Sequence, residues 1–250
     1  MKKTATILLV WTLSLLAWGG VRAANPEGEV RNLIFMVGDG MGLAHVSMLM
    51  VENGYAPTSF DRAQSVGLVC TRSANNRVTD SAAAATALAT GHKTGNGTIG
   101  QSLDGERYES LMMRAEKAGL RSGIVVSCYL QHATPAAFYA HVARRGDVDT
   151  ITRDLLASGV DVLFGGGRKW LAEECSDGGT YFDAFRRRGY TVVDRFEQTD
   201  TLHSGRVLGA FAEKHLEAAP RRGDYLPRAT RKALELLTAD DSLHRGWMLL

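Results

Sequence analysis

The sequence predicts an α/β fold: a three-layer sandwich in which helices cover both faces of a largely parallel central sheet. Three observations carry this expectation. Short continuous apolar runs of strand length recur at Leu33–Val37, Ser122–Cys128, Asp161–Phe164 and Thr191–Val193, as strands buried on both faces require. They are interspersed with segments of helical spacing, such as Glu109–Ala118 and Arg231–Thr238, in the manner of βα units. Residues able to do chemistry follow the C-terminal ends of the runs, where open α/β sheets hold their ligands.

The chain of 250 residues begins with Lys2 and Lys3, an apolar run from Ile7 to Trp18, and the small-residue stretch Val21-Arg22-Ala23. A secretory signal has that order, and the run is shorter than the ~20 residues that span a bilayer. Residues 1–24 are therefore read as a signal peptide cleaved after Ala23 or Ala24, the competing reading being an uncleaved anchor. Cleavage removes Lys2, Lys3 and Arg22 and takes the net charge from +2 to about −1, so composition points to neither nucleic acid nor membrane as a partner. Export permits disulfides, yet the cysteines are three, Cys70, Cys128 and Cys175, so one thiol must stay unpaired within the chain.

Residues 25–250 suffice for a single α/β domain without repeats or linkers. Leu33–Val37 (LIFMV) reads as a buried parallel strand. Asp39 follows it between Gly38 and Gly40, where backbone or metal can approach closely; a turn aspartate capping the next helix would look the same. Val66–Thr71 is a second strand candidate. It leads into Val78–Gly91 (VTDSAAAATALATG), where Asp80 and Ser81 precede an alanine run that should form a tight helix stopped by Gly91. A hydroxyl at a helix N-terminus suits an oxyanion or an ionised nucleophile, and equally suits a capped core helix. His92–Gly100 (HKTGNGTIG) is glycine-rich without nucleotide-loop spacing and reads as a connector.

Further along, the Glu109–Ala118 helix feeds the strand Ser122–Cys128. Gln131, His132 and Thr134 come next, and a helix from Pro135 is expected to run through Phe138 and His141 to Arg144 and Arg145. His45, His92, His141, His203, His215 and His244 lack the close pairing of a zinc site and read as surface or hydrogen-bonding residues. The apolar run Gly246–Leu250 has no turn or cap after it, so it reads as an interrupted strand and the fold as incomplete at the C-terminus.

Five strings then stand together: NLIFMVGDGMG (Asn32–Gly42), VTDSAAAATALATGHKTGNGTIG (Val78–Gly100), QHATPAAFYAHVARR (Gln131–Arg145), DVLFGGGRKW (Asp161–Trp170) and ATRKALELL (Ala229–Leu237). In this order they resemble the alkaline phosphatases, exported metal-dependent phosphomonoesterases, over nearly all of residues 25–250, which would form the N-terminal part of one catalytic domain. The resemblance implies Ser81 as the nucleophile that becomes a phosphoserine and Asp39 as a carboxylate bridging a zinc and a magnesium. It implies Thr134 as a magnesium ligand and Arg145, rather than its neighbour Arg144, as the phosphate-binding arginine, with Asp80 orienting it.

The chemistry suits these residue types. Metal coordination is one way to activate a serine hydroxyl, and two metals about 4 Å apart can hold the attacking and leaving oxygens of an in-line displacement. A guanidinium presents a planar fork to phosphoryl oxygens. The implied cofactors are two zincs and one magnesium. His132, at a position where the family has aspartate or histidine, leaves the third metal open, because imidazole suits zinc or cobalt better than magnesium.

The family's remaining metal ligands belong to a C-terminal half, so this stretch alone is expected to be inactive. The implied substrates are small phosphomonoesters, the location periplasmic or secreted, and the assembly a homodimer. Two other readings stay open: a phosphodiesterase or sulfatase of the same superfamily, against which the DSAAA string argues, and a shortened, non-catalytic anion-binding protein.

Overall fold

The computed structural model describes residues 30–239, 241 and 245–250, and the fold lies in the unit Asn32–Leu250. Residues 1–24, read as a signal peptide, and His244 lie outside the described residues. The elements run β1 (Leu33–Ile34), α1 (Leu43–Glu52), a 3-10 turn (Ser59–Arg62), α2 (Ser81–Thr90), α3 (Leu111–Lys117), β2 (Arg121–Tyr129), α4 (Ala133–Ala136), α5 (Val148–Ala157), β3 (Val162–Gly166), α6 (Arg168–Leu171), α7 (Tyr181–Arg187), β4 (Tyr190–Val193), a second 3-10 turn (Phe196–Thr201), β5 (Arg206–Ala210), α8 (Ala219–Arg222), α9 (Tyr225–Ala239) and β6 (Trp247–Leu249). Among the described residues no helix is long and apolar enough to cross a membrane.

Six strands form one sheet in the order β1-β6-β2-β3-β5-β4, and every pairing is parallel. The pleat sorts the core into two layers. Ile124, Leu163, Leu208 and Met248 face the layer that holds Met112 of α3, Leu155 of α5 and Phe185 of α7. Their chain neighbours Val125, Val162, Phe164, Val207 and Leu249 face Ala229, Ala233, Leu236 and Leu237 of α9. Alternate residues pack on opposite helical layers because side chains alternate along a strand, and both sides must be apolar for that to be stable. This is the α/β sandwich expected from the apolar runs.

Three expected elements differ. Leu33–Val37 pairs as a strand only at Leu33–Ile34, and these two residues are 42 % and 45 % exposed rather than buried. Backbone pairing reaches Phe35, whose N–H donates to the Leu249 carbonyl at 2.8 Å, but β1 is an edge strand with β6 as its neighbour. Val66–Thr71 forms no strand: Val66, Leu68 and Val69 stand exposed, and a strand exists only where a neighbour satisfies its backbone. The helix expected from Pro135 to Arg145 ends at Ala136. Residues beyond it turn and extend so that Val142 exchanges both backbone hydrogen bonds with Ile99, at 2.9 and 3.0 Å. Tertiary pairing with the 97–99 loop, plus burial of Phe138, outcompetes the local helical preference.

The terminal apolar run is a strand, and β6 sits inside the sheet between β1 and β2. Helix α1 has no buried residue, and Met36, Leu43, Met48 and Tyr55 are exposed around it. At the N-terminal ends of the strands, Asp161 accepts the Ser122 N–H at 3.0 Å and pairs with Arg121 and Arg206 at 3.3 and 3.5 Å. Burial, then the Asp161 charge, pushes the Glu116 carboxyl up to about 7.

Candidate functional site

At the other end of the sheet, four separate segments meet. Asp39 lies in the turn after β1, Ser81 opens α2, Thr134 lies in α4 after β2, and Arg145 ends the extended segment that follows α4. Asp39 and Thr134 follow the C-terminal ends of β1 and β2, where parallel strands leave a crevice between diverging loops.

The α2 helix is sharply bounded. Asp80 is its N-cap, accepting the Ala83 N–H through Oδ1 at 3.0 Å, and Gly91 terminates it in the left-handed region at φ 78°. Ala82, Ala83, Ala85 and Ala89 are buried, so the helix sits close to its neighbours because its side chains are small. Ser81 is thereby held at the positive end of the helix dipole.

Asp39 joins two of the hydroxyls. Its Oδ1 accepts from Ser81 Oγ at 3.3 Å and its Oδ2 from Thr134 Oγ1 at 2.7 Å, across chain separations of 42 and 95 residues. Two hydroxyls from separate elements thus meet the two oxygens of one carboxylate, an all-oxygen set of the kind that suits a hard divalent cation. No group of three or more His, Cys, Asp or Glu side chains able to hold a metal ion occurs among the described residues, so a zinc set is not assembled from them. Cys128 sits near the carboxylate, and burial, with a small contribution from Asp39, pushes its thiol up to about 12; it is no rival nucleophile. All three cysteines are unpaired.

Arg145 is held from three directions. Its Nη1 donates to Asp80 Oδ2 at 3.2 Å, its Nη2 meets His132 Nε2 at 3.1 Å, and its backbone N–H donates to the Gly97 carbonyl at 2.7 Å. Arg144 is exposed, whereas Arg145 is partly buried against these partners. A guanidinium carries only donors, so His132 Nε2 offers its lone pair and the ring proton belongs on Nδ1. In that tautomer the 3.4 Å approach of the Thr134 N–H to Nδ1 is not a hydrogen bond. Burial, then the Arg145 charge, lowers the His132 pKa, which keeps the ring neutral.

The glycine-rich segment His92–Gly100, expected as a plain connector, is the scaffold of this arrangement. The Gly97 N–H donates to Asp80 Oδ2 at 3.0 Å; Asn96 accepts the Asp80 N–H at 3.2 Å and donates to the Val78 carbonyl at 2.9 Å. Gly100 passes so close to the Ala140 carbonyl that a Cβ there would lie 2.1 Å from its oxygen. Gly100 thus serves approach of backbone to backbone, a use that composition alone does not distinguish from flexibility.

His215, read as a surface or hydrogen-bonding residue, is exposed, and it also lies at the site: its ring centroid is 5.8 Å from that of His132 and 4.9 Å from that of Tyr129. Tyr129 also meets His132 at 5.1 Å and Trp170 at 4.6 Å. The other described histidines serve locally, His203 pairing with Glu235 at 2.8 Å and His141 meeting the Tyr108 carbonyl at 2.9 Å.

The sequence profile of the alkaline phosphatase family matches residues 30–250. The chain is 31 % identical over 241 residues to alkaline phosphatase 4 of Bacillus subtilis, covering 90 % of this chain and 51 % of that relative. It is 29 % identical over 282 residues to the alkaline phosphatase of Escherichia coli, covering 88 % and 60 %. Among solved structures, the cold-active alkaline phosphatase of a psychrophilic Shewanella matches with a TM-score of 0.79 at 36 % identity, covering 88 % of this chain and 55 % of that one. The alkaline phosphatase of the Antarctic bacterium TAB5 matches with a TM-score of 0.80 at 27 % identity, covering 89 % and 65 %. The chain therefore spans 51 % and 60 % of these two curated relatives.

Proposed function

The chain belongs to the alkaline phosphatase family, and on that premise we propose that it carries the nucleophile half of an exported phosphomonoesterase. One observation carries the reading: a single carboxylate, Asp39, holds both the Ser81 hydroxyl at the N-terminus of α2 and the Thr134 hydroxyl.

In this reading Ser81 Oγ attacks the phosphorus of a phosphate monoester, the ester oxygen departs as the alcohol, and water then cleaves the Ser81 phosphoester to release inorganic phosphate. Asp39 fixes the Ser81 hydroxyl before attack. Arg145 binds phosphoryl oxygens with the donors not committed to Asp80 and His132, and the α2 N-terminus favours the same negative charge. Asp80 positions Arg145 through one oxygen and caps α2 with the other, tying phosphate binding to the nucleophile. His132 stays neutral and directs the guanidinium.

Asp39, Ser81 and Thr134 fit magnesium as oxygen ligands, with His132 beside them. A cation held there would acidify the serine hydroxyl and offset phosphoryl charge. A mutant of the TAB5 relative has been solved with bound magnesium. The described residues do not fit the two zincs implied by the resemblance, so this stretch by itself is proposed to be inactive. Export to the periplasm or medium follows from the order of residues 1–24, and homodimerisation remains an expectation from the family.

The test is hydrolysis of p-nitrophenyl phosphate by the complete gene product. Turnover that Ser81→Ala lowers more than about a thousandfold, and that chelation abolishes, supports the reading; undiminished turnover in Ser81→Ala refutes it.

A further inference from the structure

Three aromatic side chains at the site have no part in the proposed chemistry. Tyr129 ends β2, Trp170 lies in α6 after β3, and His215 lies in the loop after β5, so neighbouring strands deliver all three to one place. We propose that Tyr129, Trp170 and His215 form a leaving-group subsite that stacks the ring of aromatic phosphomonoesters beside Arg145. The proposal rests on the phosphatase reading and adds a substrate class to it.

The cluster is continuous with the phosphate site. The Tyr129 ring meets the His132 ring at 5.1 Å, and His132 Nε2 lies 3.1 Å from Arg145 Nη2. An ester whose phosphoryl group sits on Arg145 therefore has its organic portion within reach of these rings.

Backbone bonds hold the rings in place. The Gly167 and Arg168 N–H groups both donate to the Ala212 carbonyl at 3.0 Å, and Lys169 N–H donates to the Glu213 carbonyl at 3.1 Å, which fastens the Trp170 turn to the His215 loop. Leu216 N–H donates to the Ser127 carbonyl at 3.0 Å, fastening that loop to β2. At Gly167 a Cβ would stand 2.2 Å from Gln131 Oε1 and 3.2 Å from Tyr129 Cβ, so α6 approaches β2 as closely as glycine permits.

These rings are not core. His215 is exposed, and Tyr129 and Trp170 are partly so, whereas core aromatics such as Phe164 and Phe185 are fully covered. The exposed Lys169 ammonium, 5.9 Å from the Trp170 centroid, stands at the rim. Partly exposed aromatic groups fixed next to a phosphate site supply π-faces for a flat apolar substituent.

The experiment compares benzyl phosphate with n-butyl phosphate in the complete gene product, two esters of similar leaving group that differ in the ring. Trp170→Ala is expected to lower kcat/KM for benzyl phosphate about five- to tenfold, with the butyl ester and inhibition by inorganic phosphate changed less than about twofold. Trp170→Phe should retain most of the benzyl rate. His215→Ala, at an exposed position, should lower the benzyl rate selectively even if Trp170→Ala fails to fold. Equal losses on both esters, or none on benzyl phosphate in either variant, overturn the subsite. A wild-type protein that hydrolyses neither ester overturns the phosphatase reading beneath it.

Discussion

Replacing Asp80 tests how the site is assembled, because one side chain serves three partners. Asp80→Ala removes the α2 N-cap bond, worth about 1 kcal/mol. It removes the acceptor of the Gly97 N–H, a charge-assisted bond worth about 1.5 kcal/mol. It also removes the ion pair with Arg145, whose side chains are 34 % and 26 % exposed, and solvent screening holds that to about 0.5 kcal/mol. The sum is about 3 kcal/mol, an upper value because the three share one carboxylate. For a domain of this size it corresponds to a fall in Tm of about 6–12 °C by thermal melt.

Asp80→Asn should cost about two-thirds as much, about 2 kcal/mol. It keeps the cap acceptor but turns an amide donor towards the Gly97 N–H and Arg145. Phosphate inhibition of the complete gene product should weaken about tenfold in both variants as Arg145 loses its orientation. An Asp80→Ala protein that melts within 2 °C of wild type, at about 0.5 kcal/mol, would refute the reasoning.

Further outcomes follow from other residues. Thr134→Val leaves Asp39 Oδ2 without its 2.7 Å partner, so the magnesium concentration needed for half-maximal activity should rise about 10- to 100-fold, measured by metal titration. The Glu116 carboxyl is raised from 4.5 to about 7, so between those values the folded chain binds the proton more tightly than the unfolded chain, and stability falls as pH rises through that window. Discounted for partial exposure the loss is about 1–2 kcal/mol, and Glu116→Gln should flatten melts taken from pH 5 to 8 and raise Tm at the upper end. Phe164→Ala empties a fully buried position against Phe196 and Phe211 and should cost about 3–5 kcal/mol in denaturant unfolding with no change in m-value.

The fold was legible wherever burial is written into local order. The runs at Ser122–Cys128, Asp161–Phe164 and Thr191–Val193 are strands because continuous apolar sequence has two faces to cover. Strand β5 and helices α1, α5 and α7 carry no distinct signal along the chain, since short elements of mixed composition match more than one period. Val66–Thr71 has strand composition and no strand, because pairing belongs to the neighbour and not to the run.

At the site, the sequence by itself determined the residue types and the local device: a serine opening an alanine helix closed by Gly91, with Asp39, Thr134 and Arg145 in strings of fixed order, while the N-cap role of Asp80 appears only in the structure. Only the tertiary structure decided how they meet. The chain after Ala136 abandons its helix to pair with Ile99, and that exchange sets Arg145 against Gly97 and Asp80 and brings His132 to its guanidinium. It also decided that His215, unremarkable along the chain, stands beside His132. Local propensity is a matter of tenths of a kcal/mol per residue, whereas burying Phe138 and pairing two backbone segments is worth about several, so long-range contacts overrule the local pattern where the two disagree.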